Sequence, residues 1–190
     1  MLSPINLKAK FELGLPYPAY VATGKPNEQA NWAKFGEKVA LDEGQATLIG
    51  GFTRRINAMC ISGTWCGDCV QQVPFFDAIA RANPGFIQLR LLDRDLRADL
   101  SDQLMICGGR RVPVLLLLNE DFDLLALLGD RSLSRYRTLA AKQLGGSCPL
   151  PGAPVPADEL AATLRDWVEE FERVHLMLRL STKMRQRYGD

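Results

Sequence analysis

The chain has 190 residues, 47% of them hydrophobic and 24% charged, which is enough for one globular domain with additions at either end. Its formal net charge of +1 argues against a general nucleic-acid binder and against electrostatic docking on acidic membranes. The first residues do not have the form of a signal peptide, and the longest apolar run is too short to cross a bilayer. Five cysteines, an odd number, do not indicate a secreted disulfide framework, so we expect a cytoplasmic protein.

Residues 1–51 are predicted to form a helical extension. Apolar side chains recur at helical spacing between Trp32 and Val39. Asp42, followed three residues later by Gln45, has the form of a helix start with an acidic N-cap. The segment predicts two short helices, which have too little apolar surface to fold alone and should cover another part of the chain.

Residues 52–146 alternate strand-like and helix-like patterns. The predicted elements are, in order, a strand over 56–61, a helix over 66–81, strands over 86–92, 114–118 and 124–128, and a helix over 133–144. A β-α-β unit followed by a β-hairpin and a helix implies an α/β fold with a central mixed β-sheet flanked by helices on both faces.

Residues 147–190 are predicted to be a connector and a C-terminal helix packed on the same unit. Glycine and proline over 145–156 exclude a helix there, and one long helix follows from Asp158 to about Lys183. Its apolar residues form one seam, in which the steps alternate between four and three: Leu160, Leu164, Trp167, Phe171, Val174 and Leu178. We expect the seam to pack within the chain, giving a monomer, with a dimer seam as the alternative.

Two cysteines separated by two residues stand at the junction between the first predicted strand and the helix after it, in Thr64-Trp65-Cys66-Gly67-Asp68-Cys69. Unpaired N–H groups at the helix start point at the first sulfur, lower its pKa and favour attack by it. In a chain without a secretion signal, this spacing predicts a redox dithiol. Asp68 places a negative charge beside the same sulfur and should raise its pKa.

The alternatives for this pair are a structural role or half of a zinc site, but tetrahedral zinc needs four ligands. The remaining candidate ligands show no second close pair: Cys60, Cys107, Cys148 and His175. We therefore expect no metal. We interpret Cys60 as a small buried hydrophobe, Cys148 as passive and His175 as structural. Cys107 is either inert or a third redox thiol, because its loop leads into Pro113.

Four motifs in the same order make residues 53–144 resemble the thioredoxin superfamily. Trp65 to Cys69 is similar to the signature Trp-Cys-Gly-Pro-Cys, with Asp68 in place of proline. Pro74 matches the proline that kinks the active-site helix of the family. The Gly-Asp centre and the flanking helices look more like a bacterial thioredoxin-like subfamily than thioredoxin itself.

The other two motifs concern substrate binding. Val112-Pro113 matches the loop whose proline is cis and lies against the cysteine pair, and Gly129 matches the glycine that lines the substrate groove. The resemblance implies that the Val112 backbone pairs with an extended substrate chain and that Gly129 keeps the groove open. Trp65 is either a core residue or, as its place beside Cys66 suggests, a partly exposed ring that shields the sulfur.

The resemblance implies a thiol-disulfide oxidoreductase acting on a disulfide-containing protein or a low-molecular-weight thiol. Cys66 attacks, Cys69 resolves the mixed disulfide, Gly67 and Asp68 belong to the motif that tunes them, and an unidentified reductase supplies electrons. Neither metal nor organic cofactor is called for. The alternative function is a non-catalytic adaptor module or redox sensor, in which the terminal helices occlude the motif or recruit a partner.

Two departures from the family bear on that choice. The family's buried acid, thought to take the proton of the second cysteine, aligns with Cys60, and the loop over 95–111 is longer than in thioredoxin. Three arginines are either ordinary solvated charges or converge on the groove rim, where they would lower the pKa of Cys66: Arg110, Arg111 and Arg131.

Overall fold

The structure is a computed structural model that describes residues 2–144 and 155–189. Nine helices and four strands lie within those residues. In chain order they are α1 (Pro4–Glu12), α2 (Tyr17–Val21), α3 (Pro26–Gly36), α4 (Glu43–Gly50), β1 (Ile56–Ser62), α5 (Gly67–Ala82), β2 (Ile87–Asp93), α6 (Ala98–Ser101), β3 (Val114–Leu118), β4 (Leu124–Leu128), α7 (Leu133–Leu144), α8 (Glu159–Leu180) and α9 (Thr182–Tyr188). Cys148 and most of the predicted connector lie outside the described residues.

The four strands form one mixed sheet in the order β2-β1-β3-β4. β1 runs parallel to β2, with Ile56 opposite Ile87, and antiparallel to β3, with Ile61 opposite Val114. Every residue of β1 is buried, as expected for a central strand covered by helices on both faces. The predicted α/β class with a mixed sheet is confirmed. The bounds of β3, β4 and α7 coincide with the prediction, and the other predicted elements of the sheet differ by one residue.

The N-terminal extension contains four helices within the described residues, so the prediction of two was wrong. Prolines at or beside the first helical position begin three of them, at Pro4, Pro18 and Pro26, and thereby divide the segment. The predicted start of α4 is confirmed: Asp42 Oδ1 accepts the Gln45 N–H at 2.8 Å, and Gln45 Oε1 accepts the Asp42 N–H at 3.1 Å.

The extension covers an edge of the sheet. Leu15 and Leu91 exchange two backbone hydrogen bonds of 2.9 and 2.8 Å, which occupy part of the free edge of β2. Glycine is required at position 14 for this approach, because a Cβ there would lie 2.7 Å from the Cβ of Arg90. The extension therefore protects the strand that lies beside β1.

The C-terminal helix packs within the chain but is not continuous. α8 ends before Ser181, whose extended backbone interrupts the helix and whose hydroxyl accepts the Met184 N–H at 3.4 Å to begin α9. The buried face of α8 contacts α4, α5, α7 and β4. His175 is structural, as predicted: it stacks on Phe52 with 4.3 Å between the rings and accepts the Thr53 N–H at 3.1 Å.

Within the described residues, no helix is long and apolar enough to span a membrane.

Candidate active site

The two cysteines of the motif lie at the start of α5 in different environments. Cys66 is the N-cap residue and is half-buried, whereas Cys69 lies in the first turn and is fully buried. Both are free thiols. Gly67 is the first residue of α5, and Pro74 lies inside the same helix. The strand-to-helix junction therefore brings the two sulfurs together while exposing only one of them.

The surroundings of Cys66 favour its thiolate. A hydrogen bond from the Cys69 side chain lowers the pKa of Cys66 to about 6, and the backbone N–H groups of Cys69 and Asp68 act in the same direction. Partial burial and the charge of Asp68 oppose them. The Cys69 thiol, which contributes most, and the backbone donors at the helix start together outweigh burial and the acidic neighbour.

Cys69 is held as the neutral thiol. Burial raises its pKa well above the ordinary value, and the hydrogen bond to Cys66 and the Cys66 charge act in the same direction. The Gly63 N–H donates to Cys69 Sγ at 3.4 Å, which fixes the sulfur against the end of β1. The pair therefore combines a partly accessible thiol of low pKa with a buried thiol that stays protonated.

The loop before β3 lies against Cys66. The Val112-Pro113 peptide bond is cis, and the Cys66 thiol donates to the Val112 carbonyl oxygen at 3.5 Å. Residues 46 positions apart in the chain thus meet at the reactive sulfur. The resemblance predicts that the Val112 backbone binds substrate, and the structure places that backbone beside Cys66 Sγ.

Gly129 directly follows β4 and lies near Ile106. A Cβ at this position would lie 3.6 Å from Ile106 Cδ1, and Ile106 belongs to the loop over 95–111. Gly129 also borders a cavity of about 330 Å³ that Trp167 of α8 helps to line. The statement that Gly129 keeps a substrate groove open stays a prediction, because 3.6 Å is an ordinary van der Waals distance.

Trp65 is 48% exposed, as expected for a ring outside the core. The guanidinium of Arg94 lies 4.5 Å from the centroid of its ring, a cation–π arrangement. A Cβ at Gly63 would come within 2.7 Å of the ring, so glycine is needed for the ring to lie across the loop. Trp65 thus forms an exposed apolar surface beside Cys66, covered in part by a positive charge.

The rim arginines bind acids and do not contact Cys66 directly. Arg131 forms a two-pronged pair with Asp68, including an Nε–Oδ1 hydrogen bond of 2.9 Å. Arg131 and Arg111 also share Asp130, each at 3.3 Å. Arg110 pairs with Asp102 instead, so the convergence considered from the sequence holds for two of the three arginines. Arg131 compensates the negative charge that opposes the Cys66 thiolate.

This pairing gives a testable prediction. Arg131→Gln leaves the Asp68 carboxylate uncompensated and should raise the pKa of Cys66 by about 1, whereas Asp68→Asn should lower it. Ultraviolet absorbance of the thiolate against pH measures both. Arg110→Gln removes a comparable charge that pairs with Asp102, and serves as the control. If neither Asp68→Asn nor Arg131→Gln changes the pKa of Cys66, Asp68 is a solvated charge without influence on the thiol.

Cys60 and Cys107 differ in their surroundings. Cys60 is fully buried in β1, where burial raises its pKa, in agreement with its interpretation as a small hydrophobe. Cys107 is exposed, with a φ of 51° in the turn before Gly108. Among the described residues, no three His, Cys, Asp or Glu side chains form a group that could hold a metal ion.

Comparison with known proteins gives a family and a fold. A family model described as thioredoxin matches residues 14–140. The chain is similar to the crystal structure of a protein of unknown function from Pseudomonas aeruginosa, with 22% identity, coverage of 92% of this chain and 97% of that one, and a TM-score of 0.69. It is also similar to an HIV epitope scaffold, with 23% identity, 87% and 90% coverage, and a TM-score of 0.59. At these identities the structures establish the fold alone. The sequence matches no curated protein.

Proposed function

Because the chain belongs to the thioredoxin family, we propose that it is a thiol-disulfide oxidoreductase that reduces disulfides of other proteins. One observation carries the proposal: a half-buried thiol with a pKa of about 6 lies beside a fully buried thiol in the same helical turn. This asymmetry suits a two-step exchange, in which the accessible sulfur must attack and the shielded one must wait.

The Cys66 thiolate attacks one sulfur of the substrate disulfide, that S–S bond breaks, and the first substrate thiolate leaves. Cys69 then loses its proton and attacks Cys66 Sγ, which breaks the mixed disulfide and releases the second substrate thiolate. The substrate gains two electrons and the protein ends with a Cys66–Cys69 disulfide. A reductase or small thiol restores the dithiol, so the cycle needs neither a metal nor an organic cofactor, and we place it in the cytoplasm.

Substrate binding is proposed at the Val112 backbone. An extended chain that pairs with Val112 in the manner of an added strand would bring its sulfur to Cys66, because the Val112 carbonyl oxygen lies 3.5 Å from Cys66 Sγ. Trp65 offers an exposed apolar surface next to the same sulfur. Mixed disulfides of low-molecular-weight thiols are smaller substrates for the same site.

The partial exposure of Cys66 favours catalysis over the adaptor alternative. The N-terminal helices lie behind the active-site loop: Trp32 Nε1 donates to the Thr64 carbonyl oxygen at 2.9 Å, and the Thr64 hydroxyl donates to Glu28 at 2.8 Å. These contacts support the loop and leave Cys66 half-exposed, whereas an occluding extension would bury it.

Insulin reduction tests the proposal. We expect the wild type to accelerate reduction by dithiothreitol and Cys66→Ser to abolish the acceleration, because the attacking sulfur is lost. Cys107→Ser removes another accessible thiol and should keep full activity, which makes it the matched control. Cys69→Ser should accumulate a mixed disulfide with insulin. If the wild type is no faster than dithiothreitol alone, the oxidoreductase proposal is wrong and the adaptor alternative is favoured.

A further inference from the structure

One cation lies against the exposed aromatic ring beside Cys66. The Arg94 guanidinium is 4.5 Å from the centroid of the Trp65 ring, well within the range of a cation–π contact. Trp65 is 48% exposed, whereas the other two tryptophans, Trp32 and Trp167, are at most 3% exposed. An exposed side chain has several staggered rotamers open to it, so the groups that hold this ring decide the surface beside the sulfur.

The Arg94 side chain is itself held by both ends of the long loop. Its Nε donates to Asp95 Oδ1 at 2.9 Å, and its Nη1 donates to the Arg110 carbonyl oxygen at 3.2 Å. The Arg94 backbone N–H donates to the Ser62 carbonyl oxygen at 2.9 Å, which fixes the start of the side chain against the end of β1. A guanidinium forms such bonds in its own plane and keeps its face for an aromatic ring.

The backbone at the end of β1 limits the place of the ring as well. Gly63 directly follows the strand, and a Cβ there would come within 2.7 Å of the Trp65 ring. The ring therefore contacts the backbone at Gly63 and the guanidinium of Arg94. Because Trp65 directly precedes Cys66, these two contacts fix an apolar surface next to the reactive sulfur.

We propose that Arg94 is a positioning residue for disulfide exchange, which holds the Trp65 ring as a fixed apolar contact for the substrate chain beside Cys66. Arg94 acts through the ring and takes no part in making or breaking bonds. A ring that is already ordered costs the complex less conformational entropy when the substrate binds. The inference rests on the proposed function, and it gives the long loop a role, since the loop supplies the Arg110 carbonyl oxygen that orients the guanidinium.

Acrylamide quenching of tryptophan fluorescence tests the hold on the ring without an activity assay. The quencher reaches Trp65 in preference to the buried Trp32 and Trp167, and Trp65→Phe identifies the part of the quenching that belongs to Trp65. We expect Arg94→Gln to raise the quenching constant of the reduced protein by at least about 1.5-fold, because the ring loses its cation–π partner.

Two reactions separate the position of the ring from the reactivity of Cys66. Reduction of an uncharged peptide disulfide that carries a fluorophore and a quencher involves the ring, whereas alkylation by iodoacetamide reports the sulfur alone. Both are measured at about pH 8, where a thiol with a pKa of about 6 is almost fully ionised. In a background of Cys107→Ser and Cys148→Ser, Arg94→Gln should slow peptide reduction by about 3- to 10-fold and change alkylation of Cys66 by less than about 2-fold.

Arg97→Gln is the matched control. Arg97 belongs to the same loop, but its Nη1 donates to the Leu96 carbonyl oxygen at 3.3 Å. This variant removes the same charge without removing the contact with Trp65, so the quenching constant and both rates should match the wild type. Arg94→Gln combined with Trp65→Ala should be no slower on the peptide than Trp65→Ala alone, because Arg94 acts through the ring.

The results that would overturn the inference differ from the one that would overturn the proposed function. If Arg94→Gln leaves the quenching constant unchanged, the guanidinium does not hold the ring. If the quenching constant rises and the rate of peptide reduction does not fall, the held ring is not a substrate contact, and the positioning role is wrong. If the wild type does not reduce the peptide although Cys66 is alkylated, the oxidoreductase function itself is wrong, and the role of Arg94 in it is wrong as well.

Discussion

A chain ending at Gly152 should aggregate or lose its cooperative thermal transition, because the deleted residues include α8, which completes the core. Six apolar side chains of α8 are at most 3% exposed: Leu164, Trp167, Val168, Phe171, Val174 and Leu178. Trp167 packs edge-to-face on Phe76 of the active-site helix, with 4.7 Å between ring centroids. Truncation would uncover an apolar patch on the helix that carries the redox motif.

A point variant isolates the largest of these contacts. Trp167→Ala should lower the free energy of unfolding by about 3–5 kcal/mol, the usual cost of removing a large buried side chain. Its Nε1 donates to Gln72 Oε1 at 2.8 Å, and the same oxygen accepts the Ser132 N–H at 3.4 Å. The variant therefore removes a partner from the residue that links α5 to α7 as well as volume from the core.

Chemical denaturation measures this loss, and Leu180→Ala provides the comparison. Leu180 is on the same helix but is 79% exposed, so Leu180→Ala should change the unfolding free energy by less than about 0.5 kcal/mol.

A chain ending at Gly152 that stays monomeric with an unchanged melting temperature would mean that α8 is a separate appendage, against the packing described above.

Local patterns explain what could be predicted. β3, β4 and α7 were predicted with their observed bounds because each is an apolar or amphipathic run closed by polar or turn residues. The Asp42 capping box was equally local, since its two partners are three residues apart. The dithiol could be located because a strand, two cysteines and a helix are contiguous in the chain.

The pairing of Asp68 could not be predicted, because it depends on a distant contact. Asp68 meets Arg131 across 63 positions in the chain. No periodicity records which long side chain reaches which acid. Ile106, which lies near Gly129, belongs to a loop for which the resemblance gives no expectation. The break at Ser181 did have a signal, because serine is a common N-cap residue. The regular apolar spacing before it favoured one continuous helix instead.

Iodoacetamide should alkylate Cys66 at least about a hundredfold faster than Cys69 at neutral pH. The thiolate is the reactive species, and a pKa of about 6 leaves about nine-tenths of Cys66 ionised at pH 7. Burial holds the pKa of Cys69 well above its ordinary value, so its thiolate is scarce, and the sulfur is also shielded from the reagent. Ionisation and access act in the same direction.

The pH dependence of alkylation tests both causes at once. The rate at Cys66 should rise through a midpoint near pH 6 and level off above about pH 7, because lowering the pKa of a thiol moves its ionisation to lower pH. Cys69 should remain unlabelled across that range, and Cys107, which is exposed, provides a reference in the same sample. Peptide mapping by mass spectrometry resolves the three sites. Equal rates at Cys66 and Cys69 would contradict the assignment of Cys66 as the nucleophile, because the burial of Cys69 would then not limit its reactivity. A Cys66 midpoint near that of an ordinary thiol would contradict it as well, because the donors at the start of α5 would then not lower its pKa.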